Sequence, residues 1–118
     1  MTVIFDDKKT FEYSIPVLVI GSGGCGLTAA LAAKENETEV LVIERDSTPL
    51  GTTAMSTGLI PGANTRFQRE AGIKDDADLF TQDIIDKARG QTDENIAHCL
   101  ANQSSKTIEW LVDQHRIP

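Results

Sequence analysis

Six consecutive residues, Gly21, Ser22, Gly23, Gly24, Cys25 and Gly26, have the types and spacing to hold a phosphate. Glycines at the first, third and sixth places make G-x-G-x-x-G. Gly21 permits a tight turn from strand to helix, Gly23 leaves the backbone open to a pyrophosphate, and Gly26 lets the helix lie close on the strand. The unpaired N–H groups and positive dipole end of a helix starting there attract phosphate oxygens. Glu44 follows 18 residues beyond Gly26, close to where a carboxylate accepts hydrogen bonds from an adenosine ribose. An acid at that position disfavours a 2′-phosphate. An ordinary glycine turn with a surface glutamate is the bland alternative, but here a buried strand, a helix and a terminal acid all fall at the right places. The pattern points to a dinucleotide site, and by itself it leaves FAD and NAD both open.

These residues need a strand, a helix and a second strand to position them. Residues 17–20 and 40–43 both read VLVI. Such runs, without polar alternation, suit parallel strands buried on both faces. A buried helix also accommodates them, but Pro16 before the first run and Gly21 after it favour a strand. Between the runs, Leu27 to Glu37 is rich in Ala and Leu, with Leu27, Ala30, Leu31 and Lys34 at helical spacing. Residues 16–44 therefore read as a βαβ unit with a right-handed crossover.

Beyond Arg45, residues 46–65 are too rich in Gly, Pro, Ser and Thr for a regular element. A loop of that length in a small domain usually has a function. Residues 76–116 read as helical. Ala77, Phe80, Ile84 and Ala88 form a stripe widened by Leu79 and Ile85, with Gly90 as a stop. A shorter helix is expected from Asp93 and Glu94 to about Leu100, and a third from Ser105 to about His115, faced by Ile108, Leu111 and Val112. Residues 1–14 read as a leader or a partly ordered segment at the sheet edge, with Phe11 and Tyr13 in a weak hairpin as one arrangement. The fold class expected is α/β: an incomplete Rossmann-like βαβ unit, a long loop and about three helices.

From residue 15 onward the chain resembles the FAD-dependent oxidoreductases of the fumarate reductase and succinate dehydrogenase flavoprotein type, ketosteroid dehydrogenases included. GSGGCGLTAALAA is similar to the first FAD fingerprint of that family, and VLVIERDSTPLGTTAMSTG to its second strand and following loop. RFQREAGIKDDADLFTQDIIDKARG and ENIAHCLANQSSKTIEWLVDQ resemble the helices that come next. The resemblance implies FAD as cofactor, with Gly21, Gly23 and Gly26 at the ADP pyrophosphate and Glu44 on the adenosine ribose; Ser22, Gly24, Cys25 and Arg45 are counted beside them as cofactor-binding. It also implies that Gly51, Thr52, Thr53, Ala54, Met55 and Ser56 run along the pyrophosphate toward the flavin. Read alone, Thr52, Thr53 and Ser56 are more simply turn caps. Two departures stand out: the family's Gly-Gly before this loop is Leu50-Gly51 here, and a later Ser-Gly-Gly is Ser56-Thr57-Gly58.

In such flavoproteins the substrate domain, the acid–base residues and the last flavin-binding strand lie downstream. The resemblance thus implies residues 15–118 as a partial FAD-binding domain, with no catalytic residue of its own. In the complete enzyme, hydride passes between flavin N5 and a C–C single or double bond. Three alternatives stand beside that reading: a non-catalytic module binding FAD, NAD or another adenine nucleotide; a subunit needing a partner chain; and a truncated product.

Composition narrows the remaining classes. A net charge of −7 disfavours nucleic acid as a partner. Cys25 and Cys99 are far apart and form no CxxC, and no metal-ligand spacing involves His98 or His115, so no metal site is expected. Cys25 reads first as a small packing residue, and Trp110 as a helix-face anchor. Asp6 and Asp7 interrupt any signal-peptide core, and no apolar run reaches membrane length, so a cytoplasmic protein is expected.

Overall fold

A computed structural model describes residues 7–118. It falls into two compact units, Met1–Gly58 and Leu59–Pro118, whose boundary lies inside the expected 46–65 loop.

The first unit holds β1 (Val17–Ile20), α1 (Gly24–Glu35) and β2 (Val40–Ile43). The strands pair in parallel with Val17 opposite Val40 and Ile20 opposite Ile43, and the Gly21 N–H extends the ladder to the Ile43 carbonyl at 2.8 Å. The chain leaves α1 through Asn36 and Glu37, the latter at φ 55°. The Thr38 N–H reaches back to the Ala33 carbonyl at 3.2 Å. A short 3-10 turn, Thr52–Met55, interrupts the loop after β2.

Helix α1 packs on both strands and covers one face of the pair, where the strand valines are half-buried. Leu18, Ile20, Leu41 and Ile43 point the other way and are 43–79% exposed. Burial on both faces was expected from the unbroken apolar runs, and within the described residues only one face is covered. The alternation of side chains across a strand explains the difference, because a single helix layer reaches every second residue. Residues 7–15 contain a turn and a bend but no strand, with Phe11 and Tyr13 exposed; the rest of the proposed leader lies outside the described residues.

The second unit holds α2 (Arg66–Glu70), α3 (Ala77–Ala88) and α4 (Glu94–His115). Thr65 and Gln68 form a reciprocal capping box at the start of α2. Asp76 caps α3 through the Leu79 N–H at 2.8 Å, and Asp93 caps α4 through the Asn95 and Ile96 N–H groups at 2.8 and 3.3 Å. Helix α3 ends at Arg89, in the left-handed region, followed by Gly90 at φ 77°. α3 and α4 pack against each other.

Two helical expectations need correction. The helices foreseen at about 93–100 and 105–115 are one continuous helix, α4. Its polar middle is satisfied locally, with the Asn102 amide bonded to the His98 carbonyl at 2.8 Å and the Ser104 hydroxyl to the Ala101 carbonyl at 2.8 Å. Small residues there, Ala97, Ala101 and Ser104, form the buried stripe with Leu111. Helix α2 was not foreseen from the residue pattern, although RFQRE opens a stretch that resembles the family's helices. Among the described residues no helix is long and apolar enough to cross a membrane.

Candidate functional site

The glycine loop lies between the end of β1 and the first turn of α1, and each glycine meets a different constraint. Gly21 sits at φ 99°, a conformation L side chains rarely adopt. A Cβ on Gly26 would overlap the Gly21 carbonyl oxygen, so the close approach of α1 to β1 requires glycine there. Gly23 differs. Its φ is −70°, and a Cβ would meet only the Gly51 Cα, at an ordinary 3.9 Å. Protein packing alone does not demand glycine at 23.

Helix α1 has no side-chain cap from its own N-cap residue, Gly23. Its first N–H, on Gly24, donates instead to the Thr53 hydroxyl at 3.1 Å, from the 3-10 turn after β2. Intrahelical bonding starts with the Leu27 N–H on the Gly23 carbonyl at 3.0 Å. The Cys25 and Gly26 N–H groups in between have no hydrogen-bond acceptor among the described residues, as expected of a helix start. Two unpaired donors, the positive end of α1 and the open Cβ side of Gly23 together make a cradle for an anion with several oxygens.

Gly51 closes the loop on this cradle. Its backbone sits at φ 54° and ψ −177°, and a Cβ there would come within 3.0 Å of the Gly23 Cα. The two backbones therefore run in near contact. Ala54 donates its N–H to the Leu50 carbonyl at 3.3 Å, closing the turn that carries Thr53. Ser56 caps its own turn, accepting the Gly58 N–H at 3.0 Å. Thr53 and Ser56 thus part company: one crosses to the start of α1 and the other stays local. Thr52 is exposed on the 3-10 turn.

Glu44 stands at the end of β2, half-buried, beside the same loop. One carboxylate oxygen accepts the Ser22 N–H at 2.8 Å and the Ser22 hydroxyl at 2.7 Å. The other accepts the Arg45 and Asp46 N–H groups at 2.7 and 3.1 Å. These donors, Ser22 foremost, lower its pKa from 4.5 to about 2, so it is fully ionised at neutral pH. Arg45 turns away and pairs with Asp46 at 3.1 Å, its side chain 89% exposed. Asp46 was not among the foreseen site residues; the carboxylate holding Arg45 and the N–H holding Glu44 both come from it, and no sequence spacing signals either.

The remaining side chains that could do chemistry are plain. Cys25 and Cys99 are exposed free thiols, and Trp110 makes an edge contact with His115 at 4.4 Å between ring centres. Among the described residues no group of three or more His, Cys, Asp or Glu could hold a metal ion.

Residues 16–117 match the family model of the FAD binding domain. The chain is 35% identical to the NADH:fumarate oxidoreductase of Klebsiella pneumoniae, over 86% of this chain and 11% of that protein. It is 39% identical to fumarate reductase 1 of Saccharomyces cerevisiae, over 84% of this chain and 21% of that one. Among solved structures, the open conformation of a flavocytochrome c3 fumarate reductase superposes with a TM-score of 0.75 at 32% identity, covering 80% of this chain and 17% of its own. The chain thus spans only about a tenth to a fifth of the length of these relatives. With most of its length inside the family match and with these relatives, the chain belongs to the FAD binding domain family, that of fumarate reductase-type flavoproteins, and its cofactor is FAD.

Proposed function

We propose that this chain holds the ADP half of FAD for an oxidoreductase that reduces or forms a C–C double bond next to a carboxylate or carbonyl. The observation that carries the reading is the cradle at the start of α1. Two N–H donors are unpaired beside Gly23, whose Cβ side packing leaves open. Those features fit a pyrophosphate. Cys25 and Gly26 donate to its oxygens, Gly23 lets it approach the backbone, and Gly21 and Gly24 shape the turn. Thr53 accepts the Gly24 N–H, so its own hydroxyl proton is free for a phosphate oxygen. Gly51, Thr52, Ala54 and Ser56 form the adjoining wall, and Glu44 accepts the ribose hydroxyls with Arg45 at the rim.

FAD, when bound, supplies hydride exchange at its N5 atom. The residues named here bind and orient its other end, and contribute no acid or base. The names of the relatives support the substrate class, because fumarate is an alkene flanked by carboxylates.

In the same reading, residues 15–118 form part of a larger FAD-binding domain. Polypeptide beyond them, in the same chain or a partner, covers the face of Leu18, Ile20, Leu41 and Ile43 and brings the substrate machinery. The short span relative to the relatives supports this. The reading also places the protein in the cytoplasm, where two exposed unpaired thiols are at home.

The test is a titration of the purified chain with FAD, followed by desalting and a flavin spectrum. Flavin retained by the wild type and lost from a folded Gly23→Val variant is the expected result. Equal retention by both places the cofactor elsewhere and overturns the reading.

A further inference from the structure

Glu44, read above as the ribose acceptor, has its carboxylate held by both the N–H and the hydroxyl of Ser22. A glutamate at a strand end has three side-chain torsions to fix, at a loss of rotamer freedom. Here four donors fix it, three of them backbone N–H groups that survive any substitution: those of Ser22, Arg45 and Asp46. The fourth is the Ser22 hydroxyl, which makes the shortest contact on its carboxylate oxygen, at 2.7 Å. Ser22 is only 6% exposed, so water competes weakly for that proton. Arg45, the nearest cation in sequence, is held on Asp46 by two contacts and makes no ion pair with Glu44.

We propose that Ser22 is a positioning residue for cofactor recognition: its hydroxyl fixes the Glu44 carboxylate in the orientation that receives the adenosine ribose. This rests on the functional reading above and deepens it. Ser22 acts through Glu44, so its effect belongs to the ribose and not to the pyrophosphate. Pre-set geometry of this kind strengthens binding by removing an ordering step.

The experiment is calorimetric titration of the full chain with ADP and with 2′,3′-dideoxy-ADP, for the wild type, Ser22→Ala, Ser22→Thr, Glu44→Gln and the Ser22→Ala/Glu44→Gln double variant. Circular dichroism confirms that each is folded. Ser22→Ala is expected to weaken ADP by about three- to tenfold, the loss of an ordinary hydrogen bond, since three backbone donors stay on Glu44. Ser22→Thr, which keeps the hydroxyl, should recover most of that. Dideoxy-ADP should bind wild type and Ser22→Ala alike, and Ser22→Ala should add nothing to Glu44→Gln. Equal weakening of both nucleotides, full additivity with Glu44→Gln, or no loss of ADP affinity in Ser22→Ala would each overturn the proposal while leaving the FAD reading intact. A wild-type chain that binds neither ADP nor FAD overturns both.

Discussion

Glu44, at the end of β2, and Glu109, on α4, each tie down a distant segment by accepting its backbone N–H, from Ser22 in the glycine loop at 2.8 Å and from Arg66 at the start of α2 at 2.7 Å. Each also accepts a serine hydroxyl, Ser22 at 2.7 Å and Ser105 at 3.2 Å. Both carboxyls are held below their usual pKa, Glu44 mainly by Ser22 and Glu109 mainly by the Arg66 N–H. They differ in what happens to the charge. Glu109 has the Arg69 guanidinium at 3.4 Å and Arg66 close by, and Arg66 itself pairs with Asp113. Glu44 has no cation on it among the described residues, because Arg45 is spent on Asp46. A carboxylate held in an ion pair is a fastening, whereas one without a paired cation keeps more of its attraction for a ligand hydroxyl. In the proposed reading, similar ties serve structure in one unit and a site in the other.

Exchanging the two acids for their amides breaks this comparison most sharply. Glu44→Gln should weaken FAD by at least about tenfold, since the amide offers one acceptor oxygen and a mismatched donor pair. Its thermal midpoint should fall as well, because three backbone N–H groups lose their carboxylate. Glu109→Gln should also lower the midpoint of unfolding but leave FAD affinity within about twofold. Calorimetry on the same two variants decides it, and matched losses of FAD affinity from both would erase the distinction.

Ser104→Ala probes the structural tie alone. The Ser104 hydroxyl accepts the Ala63 N–H at 3.1 Å in a buried setting. Removing it leaves that donor unsatisfied, and about 1–3 kcal/mol of stability should be lost by urea titration. FAD affinity should not change.

Acid sharpens the contrast further. Glu44 has a folded pKa of about 2 against an ordinary 4.5. Its contribution is therefore complete above pH 4.5 and is lost as pH falls toward 2. Carbon NMR of the Glu44 carboxyl should show that low midpoint, and Ser22→Ala should raise it toward 4.5, since Ser22 supplies the largest cause. An unchanged midpoint in the variant would deny Ser22 that role. Smallest of all is Arg45→Gln, expected to alter FAD affinity by no more than about twofold, because an exposed pair with Asp46 contributes little.

Much of the first unit was legible because its signals are local. Two VLVI runs, a glycine turn and an Ala-rich segment each announce an element, and β1, α1 and β2 fall where those signals lie. The second unit was harder for identifiable reasons. Reading large apolar residues alone broke α4 at about residue 100, while its continuity runs through Ala97, Ala101 and Ser104, buried at helical spacing. Helix α2 has five residues, too few for a hydrophobic period, although Thr65 and Gln68 spell a capping box that would have marked its start. At the site, the residue types were readable but their pairings were not. Ser22 with Glu44 and Gly24 with Thr53 join positions 22 and 29 residues apart, contacts that exist only once the strands are in register. Both pairings tie the glycine loop to the segment following β2.

In the proposed reading this loop is the anion-binding end of an FAD site, and nitrogen-15 NMR of the full chain, titrated with ADP, is the decisive measurement. The Cys25 and Gly26 amides should shift furthest and show slowed hydrogen exchange, because they become donors to phosphate oxygens. Saturating ADP that leaves these two amides unmoved, or that shifts only residues of the second unit, would contradict it.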